Sequence, residues 1–388
     1  MKQLLYRMWD AFKRGDLLLL FLCVVTTIGG YIMIYSTTNA TSTGPLRYLL
    51  VQIGASVAGI LLYIFISSFN TETLAEHRVG LVIFNTLLLL LLIPFGIVVS
   101  GNRSWLRFPF LPFNIQPAEI CKITYVLIMA SVMVSRQNKL SSFSTIIHMG
   151  IHLALVAGLN YVLSRDAGVS LIFAAIFVGM AFCGGVSMAW FLGGTGTLIV
   201  LAPVAWAIMD DYQKDRIAVL FDPSLDANGT GVLYQTVRGL RSLTGGSMTG
   251  QGLFQGHRTQ TNGALFAQHT DFIFCAIGEE LGFIGCAVVL ILLFLIVGRC
   301  FWVGIRSQDL LRRLVCFGVA ASLSFQIIVN VGMCLGVTPV IGLTLPFISY
   351  GGSSIITLYA MLGLVSGVYA HPNAPSHERY IRPPLPHY

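Results

Sequence analysis

The sequence predicts an all-α integral membrane protein of ten transmembrane helices, with one large extracytoplasmic loop between the seventh and the eighth. Three observations carry this. Of 388 residues, 55% are hydrophobic and only 10% charged, whereas soluble domains run at about a quarter charged. Mean hydropathy is +0.79. Apolar stretches of the roughly 20 residues needed to cross a bilayer recur along the chain, separated by short polar connectors and one long one. A soluble globule is excluded, and residues 1–388 are expected to form one membrane domain.

The ten segments fall at 17–36, 47–68, 79–100, 118–135, 144–163, 168–184, 187–209, 272–298, 314–336 and 347–369. An even number puts both termini on one side. With the N-terminus in the cytoplasm, thirteen Lys and Arg residues lie on that side, among them Lys13, Arg14, Arg78, Arg136, Arg299, Arg306, Arg312 and Arg313. The opposite short loops hold only Arg47, Arg103, Arg107 and Arg165. Five more lie in the long loop, which the positive-inside rule discounts because long segments translocate regardless of charge. Topology therefore accounts for the net charge of +7. Nucleic acid is not an expected partner, since the basic residues lie at helix ends and not on one face interleaved with aromatics.

The eight cysteines sit in or at the ends of apolar segments without C-x-x-C spacing, and read as small core residues. The basic start MKQLLYRMWDAFKRGD precedes an apolar run without a small-residue cleavage site, so it reads as a retained first helix and not a signal peptide. The loop 210–271 mixes aromatic and aliphatic residues with glycine clusters. Short surface helices are expected in it, with glycines for tight turns and close approach to a ligand. The proline-rich tail 370–388 is expected to be extended in the cytoplasm.

Ionisable groups at membrane depth cost about 2.5–3.5 kcal/mol on insertion scales, so each is a functional candidate. Glu119 and Lys122 are three apart on one face of the fourth helix, after Gln116 and Pro117. They either neutralise each other, or Lys122 attracts an anionic head group. Asp166 starts the sixth helix, where it favours the helix dipole and is expected to pair with Arg165. Asp271 ends the long loop just before the eighth helix, in Gln268-His269-Thr270-Asp271-Phe272. It is either an N-cap or a catalytic carboxylate at the interface. Glu279 and Glu280 lie two turns deeper in apolar sequence, where at least one needs a basic partner or a proton. His148 and His152 share a helical face, but no third ligand accompanies them and no metal site is expected.

Five stretches taken together resemble one family. They are GNRSWLRF with QPAEICKI within 101–123, RDAGVSLIF at 165–173, DYQKDRIAVLFDP at 211–223, QHTDFIFCAIGEELGFIG at 268–285 and TPVIGLTLPFISYGGSS at 338–354. Each is weak alone, but in this order among ten predicted helices they are similar to the SEDS proteins of shape, elongation, division and sporulation, which include RodA, FtsW and SpoVE. The closing YAMLGLVSGVYAHP resembles RodA somewhat more than FtsW. The chain departs from the family at Ala118, where a serine is usual, at Leu265-Phe266-Ala267-Gln268, where L-P-E is usual, and at Phe108-Pro109-Phe110, where a glycine is missing.

The resemblance implies a peptidoglycan glycosyltransferase in a bacterial plasma membrane. It would polymerise lipid II into glycan strands beside a class B penicillin-binding protein. It assigns Asp271 as the catalytic aspartate, and Arg103, Trp105, Glu119, Lys122, Arg216, His269 and Thr270 as substrate-binding residues. Trp105 serves equally as an interfacial anchor. Whether a divalent cation such as Mg2+ takes part is open. The rival from another class is a lipid II flippase, which would also place polar groups in the bilayer, and a third reading is a scaffold for the cross-linking enzyme.

Overall fold

A computed structural model describes residues 8–10, 12–39, 44–99, 102–226, 229, 231–261 and 263–371. Among these residues, ten helices are long and apolar enough to cross a membrane. The first seven are α1 (Leu17–Thr38), α2 (Pro45–Ser67), α3 (Arg78–Phe95), α4 (Pro117–Ser135), α5 (Phe143–Ser164), α6 (Ala167–Gly184) and α7 (Met188–Ile208). Two helices of the long connection follow, α8 (Asp211–Phe221) and α9 (Tyr234–Gly245). The last three spans are α10 (Ile273–Arg306), α11 (Leu310–Cys334) and α12 (Gly352–Ala370). The extended tail expected over 370–388 lies outside the described residues after His371.

Helices α4, α11 and α12 form the buried centre, whereas α7 buries none of its apolar stretch. Helix α12 packs along α2, and α11 lies between α6 and α10. At the end of the bundle away from Asp271, Asp16 caps α1 by accepting from the Leu19 N–H at 3.0 Å and takes a 2.8 Å ion pair from Arg299. Arg312 pairs with Glu72 at 3.0 Å. Buried charges survive where partners replace water. All eight cysteines are free.

Three boundaries differ from the periodicity. The third helix was expected to reach residue 100 but stops at Phe95. The chain then turns into a hairpin, β1 (Gly96–Val99) paired antiparallel with β2 (Asn102–Leu106). Gly96 ends the helix and the β-branched run Ile97-Val98-Val99 suits a strand better than a helix. The last span begins at Gly352 and not at 347, because residues 339–351 form a non-helical segment that re-enters the bundle. Gly30 of α1 admits it, since a Cβ there would lie 2.7 Å from the Phe347 carbonyl oxygen.

The third difference is in α10, which runs on to Arg306 and breaks at Gly282 (φ 67°, ψ −165°). The long connection docks into this break. Phe283 and Ile284 donate to the carbonyls of Ser247 and Met248, while Gln251 and Gly252 donate to those of Glu279 and Glu280, all between 2.9 and 3.2 Å. Backbone groups released by the break thus find partners in the loop. Glu279 and Glu280, expected to need a basic partner or a proton, meet hydrogen-bond donors here. Glu279 accepts from the N–H groups of Arg258 and Thr259 and from the Thr259 hydroxyl, at 2.7–3.0 Å. Glu280 accepts from Ser36, Gln260 and the Phe254 N–H, at 2.6–3.1 Å. The loop glycines approach α10 itself, since a Cβ on Gly282 would lie 2.4 Å from the Gly250 nitrogen. Gly282→Ala therefore forces both a backbone clash and a disfavoured φ, and should lower stability by about 1–3 kcal/mol, read as a fall in the thermal unfolding midpoint of the solubilised chain.

Candidate functional site

Asp271 lies one residue outside α10, whose N-cap position is Phe272, and no side chain caps that helix. The capping reading is therefore overturned, and the carboxylate is left for other work. Its main chain is held from three directions. Asn330 of α11 donates its amide to the Asp271 carbonyl at 2.9 Å and to the Leu343 carbonyl at 2.6 Å. Ser349 donates to the Thr270 carbonyl at 2.6 Å, and the Tyr350 N–H to the His269 carbonyl at 2.8 Å. Gln52 of α2 fixes the far side of the same segment by accepting from Gly351 at 3.0 Å and donating to Ser349 at 3.3 Å. Two non-glycine residues with positive φ flank this clamp, Ala267 at 47° and Phe347 at 65°. Such conformations cost about 1–3 kcal/mol and persist only where the surroundings enforce them.

The carboxylate faces the re-entrant turn, with its Oδ2 only 3.8 Å from where a Gly342 Cβ would be. Across that turn lies Asp166. A Cβ on Gly168, two residues after Asp166, would meet the Ile341 carbonyl oxygen at 2.7 Å. Asp166 does not pair with Arg165 as expected. It caps α6 through the Val169 N–H at 3.0 Å and accepts from the Gln116 side chain at 3.0 Å, because the helix N-terminus supplies an unpaired donor closer than any cation. Burial first, and the Asp166 charge second, raise the Asp271 carboxyl from its usual value to about 6, with a smaller opposing effect from the Thr270 hydroxyl. Burial also raises Asp166, and it lowers His269. Sequence reasoning favoured a structural role for Asp166 over a catalytic one. Its place beside Asp271 follows from the path of residues 339–351, which no local pattern announces.

The other sequence-derived candidates separate into those that gather and those that do not. His269 joins an aromatic group with Tyr48 and Tyr350, ring centroids 5.1–5.9 Å apart. Arg216 of α8 donates to the Val340 carbonyl at 2.5 Å, two residues before Gly342. Lys122 is fully buried and pairs with Glu119 at 2.8 Å, and the second oxygen of Glu119 accepts from Thr357 at 2.9 Å. The ion pair that the i,i+3 spacing allows is thus formed. Arg103 is exposed, and its guanidinium donates to the carbonyls of Gly96 and Ile93 at 3.1 and 2.7 Å, so it secures its own hairpin. Trp105 lies opposite Ile97 on the same hairpin. Among the described residues, no group of three or more His, Cys, Asp or Glu is gathered as for a metal ion. The rings of His148 and His152 meet edge-on at 5.1 Å.

Fold and site together define a multi-pass membrane protein with a half-buried, hard-to-ionise carboxylate at one rim of a ten-helix bundle. The family model described as cell cycle protein, for FtsW, RodA and SpoVE, matches residues 16–374, and the chain belongs to that family. The probable peptidoglycan glycosyltransferase FtsW of Geobacter metallireducens is 32% identical over 365 residues, which is 92% of this chain and 95% of that protein. The peptidoglycan glycosyltransferase MrdB of Escherichia coli K12 is 31% identical over 325 residues, 82% of this chain and 85% of its own. A solved chain from a peptidoglycan synthase complex coordinating polymerization and crosslinking has a TM-score of 0.76 at 29% identity, over 92% of this chain and 98% of that one. The rod shape determining protein RodA of Thermus thermophilus has a TM-score of 0.68 at 26% identity, over 93% and 98%. Relatives of both the FtsW and the RodA kind match, so the lean toward RodA gains no separate support.

Because Asn330 bridges two carbonyls, its replacement by leucine should deprive the Leu343 carbonyl of this donor and leave the Asp271 carbonyl with the weak Cys334 thiol donor at 3.8 Å, at a cost of about 1–3 kcal/mol. The check is a lowered thermal midpoint for Asn330→Leu, with Asn330→Gln recovering part of it.

Proposed function

We propose that this chain is a peptidoglycan glycosyltransferase that polymerises lipid II, with Asp271 as its general base. The observation that carries the reading is the raised carboxylate at the bundle rim, clamped beside Gly342. A base works best when its pKa approaches the working pH, and about 6 is closer to that than an ordinary aspartate. Asp271 takes the proton of the acceptor sugar's 4-hydroxyl as that oxygen attacks the anomeric carbon of the lipid-linked donor. The bond from that carbon to the polyprenyl pyrophosphate breaks, and one displacement inverts an α-linked donor to a β-linkage. A single essential carboxylate suffices for this chemistry.

The departing pyrophosphate requires positive charge or hydrogen-bond donors near it. Lys122 is held in a buried pair with Glu119 and Arg103 in its own hairpin. Arg216, anchored beside the turn that faces Asp271, is the better-placed cation. His269, Thr270 and Trp105 are proposed to contact the sugars or the interface around it. The Asp271 rim is proposed to face outward, with both termini in the cytoplasm, by the charge asymmetry of the loops. The connection 210–271 is then the extracytoplasmic part of the site, and a class B penicillin-binding protein the expected partner. The relatives named as glycosyltransferases do not favour the flippase.

The test is the purified chain with lipid II, alone and with a class B partner. Glycan polymer supports the enzyme, whereas head-group translocation without polymer contradicts it. Since burial disfavours the charged form of Asp271, the base is ready above about pH 6 and protonated below it. Polymerisation should therefore fall through that value as pH drops. Asp166→Asn removes a negative neighbour, so the falling limb should move to lower pH, measured as the midpoint of the rate against pH.

A further inference from the structure

A cavity of about 270 Å³ opens at the end of the bundle away from Asp271, between the start of α3 and the end of α4. Its lining includes Glu76, His77, Arg78, Gly80, Ser131 and Ser135. Four features make it fit an anion. First, α3 begins here with no side-chain cap on its N-terminus, so the first N–H groups and the positive end of the helix dipole face the opening. Second, no atom lies within 4 Å of a Cβ built on Gly80, which leaves that turn open to a ligand. Third, the half-buried Arg78 reaches the Ser135 hydroxyl at 3.4 Å. Arg136, the next residue along, is outside the lining and donates to the Ser144 hydroxyl at 3.2 Å, but brings a second positive charge beside the Ser135 wall. Fourth, Ser131 and Ser135 make the opposite wall polar, although the Ser135 hydroxyl donates to the Val132 carbonyl at 2.8 Å. Glu76 is the one carboxylate in the lining and is exposed to solvent.

We propose that this cavity binds the phosphodiester head group of an anionic membrane lipid. The choice of a lipid over a soluble phosphate rests on what surrounds the opening. Val79 (67% exposed) and Ile83 (54%) continue along α3, and Ile147 (46%) and Ile151 (58%) along α5. These apolar faces run from the cavity into the span and suit acyl chains lying beside a head group held by arginine. Basic pockets between transmembrane helices are a recognised setting for such lipids. The cavity is remote from Asp271 and uses none of the residues assigned to catalysis.

The test is native mass spectrometry of the full chain in detergent, titrated with phosphatidylglycerol, phosphatidylcholine or inorganic phosphate. Wild type should retain phosphatidylglycerol over phosphatidylcholine, and millimolar phosphate should not displace it. An arginine near a membrane surface contributes about 1 kcal/mol toward an anionic lipid, or about fivefold in affinity. Arg78→Gln with Arg136→Gln should therefore weaken retention about 25-fold. Arg78→Lys with Arg136→Lys keeps the charge and should stay within a factor of about three. Unchanged retention in the glutamine pair, an equal loss in the lysine pair, or equal retention of phosphatidylcholine would each overturn the proposal. Displacement of the lipid by phosphate would assign the cavity to a soluble anion instead.

Discussion

Hydrogen bonds from Asn330, Ser349 and the Tyr350 main chain, with a weaker one from the Cys334 thiol, tie residues 269–271 to the rest of the bundle. The position of Asp271 depends on them, and so does much of the architecture around it. They join two non-helical stretches, the end of the long connection and the re-entrant segment 339–351. Inside a membrane protein such stretches are stable only where other protein groups satisfy their backbone. Each satisfies the other here. Asn330 is the common support, since it holds a carbonyl on each side.

The same constraint explains the long connection. It has little apolar core of its own, and α10 breaks at Gly282 to receive it, exchanging backbone hydrogen bonds with residues 247–252. Glu279 and Glu280 then draw in residues 254–260 with their carboxylates. The rim bearing Asp271 is thereby built from a connection folded onto a helix, with its reactive group at the seam. A lipid-borne sugar can meet such a group while its tail stays in the bilayer, and the surrounding protein removes enough water to raise the carboxyl to about 6.

Much of this was legible in the sequence, for physical reasons that also mark where legibility stops. Apolar length gave ten spans, because the bilayer sets that length directly. Asp271 stood out as an ionisable group where ionisation is expensive, and the motif around it favoured a catalytic expectation over a cap. Glu119 and Lys122 were correctly placed on one face, since an i,i+3 spacing is local. Asp166 was missed as a neighbour of Asp271. Nothing within a few residues of it tells that the turn at Gly342 will bring the two carboxylates to its opposite sides. The break in α10 was missed likewise. The loop glycines at 246 and 250 read as turns or ligand contacts and Gly282 lay within an expected span, and only in three dimensions does each prove to be where one backbone meets another. Arg103 matched a family motif, yet its guanidinium serves its own hairpin.

The most direct measurement of the central claim is lipid II polymerisation by Asp271→Asn, alongside lipid II binding by the same protein. The substitution removes the base while changing neither size nor the main-chain hydrogen bonds that hold residue 271. The account predicts that binding stays within a few-fold of wild type while polymerisation falls by about 10²-fold or more. Polymer formation at the wild-type rate would contradict it.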